Sequence, residues 1–336
     1  MKIEERKELM VRLGAYLQEQ DEAWERAKER AFAGNNWFIP EFIEKAVQNI
    51  AHNYLQRVQL DTLHRRYALP EEQAHPLRVG IVMAGNIPLV GFHDLLCVFL
   101  SGHIAVVKPS SKDEALIKQL VAVLTSWDDR VAGAILLQPL LKGCDAYIAT
   151  GSNNTGRYFE QYFSKYPHII RKNRTSVAVL TGSEGPEELE ALADDIHLYF
   201  GMGCRNVTKL LVPRGYDFLP LLQAGGKWSW VINHHKYKNN YDYNLAIHIL
   251  NNRYYMTNGA VLLVEDPSPF APISQVHYEF YDGPAPAAGQ AGPPEAVQCI
   301  VGRAHLPFGE AQKPCVEDFA DGIDTLQFLT GLTEKS

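Results

Sequence analysis

Apolar residues recur at helical spacing through the first quarter of the chain, at Leu9, Leu13, Tyr16 and Leu17 and again at Phe42, Ala46, Val47 and Ile50. Positions three and four apart share one face of a helix, so these stripes predict amphipathic helices across residues 1–75. The run Asn35-Asn36-Trp37-Phe38-Ile39-Pro40 interrupts them. A proline there suits the first turn of the next helix, where its missing N–H costs nothing. Beyond residue 75 the pattern changes. Short apolar runs at Leu77–Val82, Ile104–Val107, Ala134–Leu137 and Ala146–Ala149 alternate with helix-like stretches at 92–100 and Glu114–Thr125. Strands alternating with helices predict a parallel sheet with crossover helices.

The second half is more mixed. Ser176–Leu180, Lys209–Val212, Ala260–Val264 and 297–301 read as strands, while Glu187–Phe200 and Tyr243–Asn251 read as helices. The Pro-, Ala- and Gly-rich stretch Gly283–Pro294 predicts a flexible surface loop, and no internal repeat is present. The aromatic cluster Trp228, Trp230, Tyr237, Tyr241 and Tyr243 is expected in the core.

Composition narrows the class. A chain of 336 residues suggests two domains, and 46% apolar with 21% charged residues is a globular composition. A net charge of −7 argues against a sequence-independent grip on nucleic acid, which needs clustered Lys and Arg. No apolar run approaches the roughly 20 residues of a spanning helix. The charged opening Met1–Asp21 is unlike a secretory signal, so a cytoplasmic location is expected. Five cysteines, an odd number without a C-x-x-C pair, fit free thiols in a reducing compartment better than disulfides or a zinc site.

Four islands carry candidate chemistry. Ala84-Gly85-Asn86-Ile87-Pro88-Leu89 follows a predicted strand, where Asn86 can aim an amide into a ligand cleft or serve simply as a turn residue. In Val106–Lys112 a buried strand runs into Lys108, Ser110 and Ser111. They suit a nucleotide's sugar or phosphate, and either serine could also cap the following helix. Ala149–Arg157 is strand, Gly151-Ser152 turn and helix, a geometry whose backbone N–H groups favour pyrophosphate, although it is neither G-x-G-x-x-G nor a Walker loop. Last, Cys204 in Tyr199–Thr208 is flanked by Gly201, Gly203 and Arg205. It is either a small buried hydrophobe or a nucleophile whose thiolate a nearby cation would favour.

Taken in order, these islands resemble the aldehyde dehydrogenase superfamily, and more closely the acyl-CoA reductase family that includes the fatty-acid reductase of bacterial bioluminescence. The resemblance rests on GNIPLVGFHD (85–94), VKPSSKD (107–113), ATGSNNTGRYF (149–159), RKNRTS (171–176), FGMGCRNVTK (200–209) and FADGIDTLQF (319–328). It implies an α/β fold with a Rossmann-like cofactor domain (76–180), a catalytic domain carrying the cysteine (181–303), an N-terminal helical region (1–75) and a C-terminal segment for packing or oligomerisation (304–336). It implies Cys204 as the nucleophile that forms a thioester, Asn86 as the oxyanion-hole amide, Lys108 at the adenosine ribose, and Gly151 and Ser152 at the pyrophosphate.

Two departures from aldehyde-oxidising relatives refine the expectation. Their water-activating glutamate has no counterpart in Ile169–Thr175, which contains no acid. Hydrolysis of a thioester should therefore be slow. Relatives that prefer NAD carry a glutamate where Ser111 stands beside Lys112, so NADPH is expected, with NADH as the alternative. The expected reaction is NADPH-dependent reduction of an acyl-CoA or acyl-protein thioester to an aldehyde. The alternative is an acyl-carrier subunit active only with an acyl-protein synthetase. Superfamily likeness also implies a homo-oligomer. His93, His197, His234 and His235 are candidate proton carriers without an assigned role.

Overall fold

The computed structural model describes residues 1–151 and 153–332. The chain forms two compact units, Met1–Asn173 with Pro314–Ser336, and Arg174–Lys313.

The first unit opens with four helices, α1 (Ile3–Tyr16), α2 (Glu22–Gly34), α3 (Pro40–Asn53) and α4 (Arg57–Arg66). Their buried faces carry the predicted stripes, with Leu9 and Leu13 on α1 and Phe42, Val47 and Ile50 on α3. Pro40 opens α3 as its position suggests. Asp21 caps α2 by accepting the Trp24 N–H at 2.9 Å. The alternating part follows as β1 (Arg78–Val82), α5 (Phe92–Ser101), β2 (Ile104–Lys108), α6 (Glu114–Trp127), α7 (Val131–Ala134), β3 (Ile135–Leu137), β4 (Ala146–Thr150), α8 (Asn153–Phe163) and β5 (His168–Arg171). The strands form one parallel sheet in the order β3-β2-β1-β4-β5. Strand β5 has no counterpart in the sequence reading, because His168-Ile169-Ile170-Arg171 holds only two apolar residues and no alternation.

The C-terminal stretch belongs to this unit. Its helix Thr325–Thr330 buries Leu326 and Leu329. His103 accepts the Leu77 N–H on Nδ1 at 3.1 Å, so its Nε2 carries the proton and donates to the Leu329 carbonyl at 3.1 Å. Arg171, fully buried, donates to Asp94 and to Thr325 Oγ1, each at 2.7 Å, and to the Ala320 carbonyl.

The second unit contains β6 (Thr175–Val179), α9 (Pro186–His197), β7 (Val207–Pro213), α10 (Leu219–Ala224), α11 (His235–Leu250), β8 (Met256–Thr257), β9 (Leu262–Glu265), β10 (Gln275–Tyr281) and β11 (Val297–Val301). Its sheet runs β11-β6-β7-β10-β9-β8, parallel except for the β8–β9 pair. Three sequence expectations are corrected. The helix expected to reach Phe200 ends at His197, because Tyr199 and Phe200 turn into left-handed backbone. Helix α11 starts at His235 rather than Tyr243. It faces Tyr237, Tyr241, Asn244 and His248 inward, so Tyr243 is exposed rather than in the core, and Trp230, ahead of the helix, is exposed as well. Strand β10 was missed, since Gln275, His277 and Glu279 break its apolar run. Among the described residues no helix is long and apolar enough to cross a membrane.

Candidate active site

In the first unit the candidate residues gather at the carboxyl ends of three neighbouring strands. Strand β1 ends at Val82, and Met83 continues the ladder by donating to the Lys108 carbonyl at 3.1 Å. The loop that follows is tightly packed. A Cβ on Gly85 would lie 2.7 Å from Ser110 Cβ, and one on Gly91 would lie 2.9 Å from Met83 Cβ, so only glycine fits at either place. Leu89 takes a left-handed φ of 56°. Asn86 is exposed between buried Gly85 and buried Pro88.

Lys108, at the end of β2, and Ser111 are exposed, and Ser110 is half-buried. Neither serine caps α6. Ser110 Oγ accepts the Lys112 N–H at 3.3 Å, and Asp113 takes the cap position. The Asp113 carboxylate leaves the helix uncapped and instead accepts the Leu89 N–H at 2.7 Å. At the end of β4, the Gly151 N–H donates to the Arg171 carbonyl at 3.3 Å, and α8 begins at Asn153. Ser152 lies outside the described residues. The chain builds outward from β1 to β3 on one side, then returns to β4 and β5 on the other. Open parallel sheets bind ligands at such a reversal, here flanked by Gly85-Asn86 and Gly151.

In the second unit Cys204 sits on the turn leading into β7, and side chains hold its backbone on every side. Tyr199, Phe200 and Gly201 carry φ of 54°, 55° and 75°, and two of these are bulky non-glycine residues in a region such residues avoid. Phe200 is fully buried, its ring 4.5 Å from that of His234 and 5.6 Å from that of Tyr237. Asn206 closes the turn. Its Oδ1 accepts the Gly203 N–H at 2.7 Å, and its Nδ2 donates to the carbonyls of Asp195, Ile196 and Leu198 at 3.0, 3.3 and 2.8 Å. Ser176 donates to the Cys204 carbonyl at 3.1 Å and lies 3.0 Å from Cys299 Sγ. Arg205 is drawn aside, its Nε donating to the Ala311 carbonyl at 2.5 Å.

Of the five cysteines, Cys315 is exposed, Cys204 and Cys299 are half-exposed, and Cys97 and Cys144 are buried. Burial pushes the thiols of Cys97 and Cys144 up, which makes them poor nucleophiles. The histidines take structural places. His93 bonds the Val316 carbonyl at 2.8 Å, and burial holds it below the ordinary histidine range. Burial holds His197 at about 4, so it stays neutral against Trp228. His234 accepts the Tyr237 N–H at 3.3 Å as the cap of α11. Buried Asp195 is pushed up to about 7 by desolvation, while its carboxyl accepts from Gly309 N at 2.7 Å and Ala311 N at 3.1 Å. Sequence reasoning missed Ser176, Asp195, Asn206 and Cys299. Only Asn206, two residues from Cys204, had a local signal.

A model of the acyl-CoA reductase (LuxC) family matches residues 15–216. The chain belongs to this family. As an acyl-CoA reductase it is an oxidoreductase of the class that takes acyl groups to aldehydes, and the matched span includes Asn86, Lys108, Ser110, Ser111, Gly151, Ser152 and Cys204. Comparison with curated proteins gives no match. Among solved structures, an oxidoreductase from Marinobacter aquaeolei is 13% identical with a TM-score of 0.63, over 84% of this chain and 69% of that one. A Mycobacterium tuberculosis aldehyde dehydrogenase complexed with NAD+ is 14% identical with a TM-score of 0.58, over 87% and 70%. The C291A variant of aldehyde dehydrogenase C from Pseudomonas syringae, complexed with NAD+ and octanal, is 13% identical with a TM-score of 0.60, over 84% and 68%. Likeness at these identities establishes an aldehyde-dehydrogenase-like α/β fold for this acyl-CoA reductase.

Proposed function

We propose that this acyl-CoA reductase converts a fatty acyl thioester, on coenzyme A or on an acyl-protein, to the aldehyde with NADPH through a thioester on Cys204. The observation that carries the reading is the setting of Cys204. It is a half-exposed thiol on a turn that three left-handed residues enter and that Asn206 and Ser176 hold. Strained backbone kept in place by so many partners is characteristic of functional sites.

The Cys204 thiolate attacks the acyl carbonyl carbon, a C–S bond forms, and the donor thiol leaves with the electron pair. Asn86 donates to the developing oxyanion, a contact worth about 10²–10³ in rate. The ends of β1, β2 and β4 fit a dinucleotide. Gly85 brings backbone close, Gly151 precedes a helix start, and Lys108 and Lys112 lie on a loop, 107–112, that contains no acid. A reduced nicotinamide held there would supply hydride to the carbonyl carbon of the Cys204 thioester, with NADH the lesser donor because nothing in 107–112 repels a 2′-phosphate. Cys204 then departs as thiolate. Ile169–Thr175 offers no carboxylate to activate water, and its Arg171 is committed to Asp94, so the thioester survives for reduction. We assign cofactor binding to the first unit's sheet, within 76–173, the nucleophile to the second unit, 174–313, support to the 1–75 helices, and packing or oligomerisation to the returning segment from 314. Two NAD+ complexes among the similar folds, one also holding octanal, accord with this assignment.

The test is intact mass after brief mixing with a medium-chain acyl-CoA and no reductant. One acyl mass on the wild type, absent from Cys204→Ala and discharged as aldehyde by NADPH, is the expected result. Equal labelling of both proteins overturns the mechanism. Labelling that appears only when an acyl-protein synthetase is added makes the chain the acyl-carrying subunit of a complex. Turnover with NADH equal to or above that with NADPH overturns the cofactor preference.

A further inference from the structure

Asp113 breaks two rules of stability at once. It occupies the N-cap of α6, yet its side chain bonds none of the helix's orphan N–H groups. Its carboxyl is buried, with Oδ2 on the Leu89 N–H at 2.7 Å and Oδ1 lacking any hydrogen-bond partner. Burial with one oxygen unsatisfied costs free energy that a serine or threonine cap would avoid. What the carboxyl does instead is reach across to the loop that carries Asn86.

That loop is held at three points. Gly85 lies against the Ser110 side chain, Gly91 lies against Met83, and Leu89, three residues after Asn86, is tied to Asp113 in a left-handed conformation. The glycine contacts are steric and set only how closely the loop approaches. The Asp113 bond is directional and fixes the strained Leu89 peptide, and with it the turn that presents exposed Asn86 between buried neighbours. We propose that Asp113 is a positioning residue for Asn86, fixing the turn that presents this oxyanion donor. This rests on the role of Asn86 given above. Desolvation pushes the Asp113 carboxyl well up; the contact itself needs only an acceptor oxygen, so an amide can replace it.

The experiment measures the limiting rate and half-saturating acyl-CoA concentration of Cys204 acylation, without reductant, in Asp113→Ala, Asp113→Asn, Asn86→Ala and the Asp113→Ala/Asn86→Ala double variant. Misplacing a catalytic group by an ångström costs up to about a hundredfold. Asp113→Ala should therefore lower the limiting rate about tenfold to a hundredfold, with the half-saturating concentration unchanged. Asp113→Asn, whose amide oxygen takes the same N–H, should return to within a few-fold of wild type. In the Asn86→Ala background Asp113→Ala should change nothing further, as for two residues acting through one group. If Asp113→Ala does not fold, Asp113→Ser, too short to reach Leu89, takes its place with the same expected loss. A folded Asp113→Ala or Asp113→Ser variant acylated at the wild-type rate overturns the proposal. So does a loss that keeps its full size in the Asn86→Ala background. Equal labelling of wild type and Cys204→Ala removes the parent mechanism and this role with it, whereas normal Cys204 labelling with an undiminished Asp113→Ala rate removes this role alone.

Discussion

Asp195 shows what a single buried carboxyl can do to this protein. Its folded pKa is about 7, well above an ordinary aspartate's, because desolvation outweighs the two backbone N–H groups it accepts. Nearby Asp194 and Glu310 raise it further. A raised acid binds more protons when folded than when unfolded, so stability falls as pH climbs from about 4 toward 7 and levels off above. The loss is at most on the order of 4 kcal/mol. Urea midpoints taken from pH 5 to 8 should decline for the wild type. Asp195→Asn should start lower, because its NH₂ opposes one backbone N–H, and then stay flat. A variant that declines like the wild type would assign the effect to another group. The sequence could not have exposed this residue. Cys204 and Asn86 stand beside glycines in short local motifs, and the family match followed from those motifs. Asp195 and Ser176 matter only through partners at Gly309, Ala311, Cys204 and Cys299, far off in sequence.

At the scale of elements, hydrophobic period located four of the five strands of the first sheet to within a residue or two because buried parallel strands are nearly continuous apolar runs. It failed where tertiary contacts override local pattern. The run Leu198-Tyr199-Phe200 prolongs the helical stripe, yet the backbone turns left-handed there to deliver Cys204. In α11 the inward face includes Asn244 and His248, whose partners are the Ile273 carbonyl and Gln275, while Tyr243 and Leu250 face outward. The left-handed entry is the element most exposed to mutation. At Gly201, φ 75°, an added Cβ would meet only the Ile196 carbonyl at an ordinary 3.5 Å. The cost of Gly201→Ala is therefore conformational, about 1–2 kcal/mol. The melting temperature should fall by a few degrees, and Cys204 acylation should slow by more than the small unfolded fraction explains. A variant that loses stability but keeps the wild-type acylation rate would separate this turn from the chemistry.

At the scale of the whole chain, the first unit is discontinuous, since the chain leaves it after Asn173 and rejoins it at Pro314. Nothing in local periodicity announces such a return, because the closing contacts are single long-range bonds and a few buried side chains. Tyr67 donates to Asp324 at 2.6 Å, His103 holds the Leu329 carbonyl, and Arg171 joins Asp94 to Thr325 and Ala320. Leu326 and Leu329 are fully buried in the same core as Leu13, Phe99 and Ile148. The returning segment is thus part of the folding unit that carries Asn86, Lys108 and Gly151. Leu329→Ala leaves a cavity in that core and should cost about 2–5 kcal/mol. Hydrogen exchange locates the damage. Amides of β1, β2 and β4 should lose protection in the variant, while those of β6, β7 and β10 keep theirs. Equal loss in both sheets would mean that the two units open as one cooperative body, and the returning segment would then stabilise the whole chain rather than the unit it packs into.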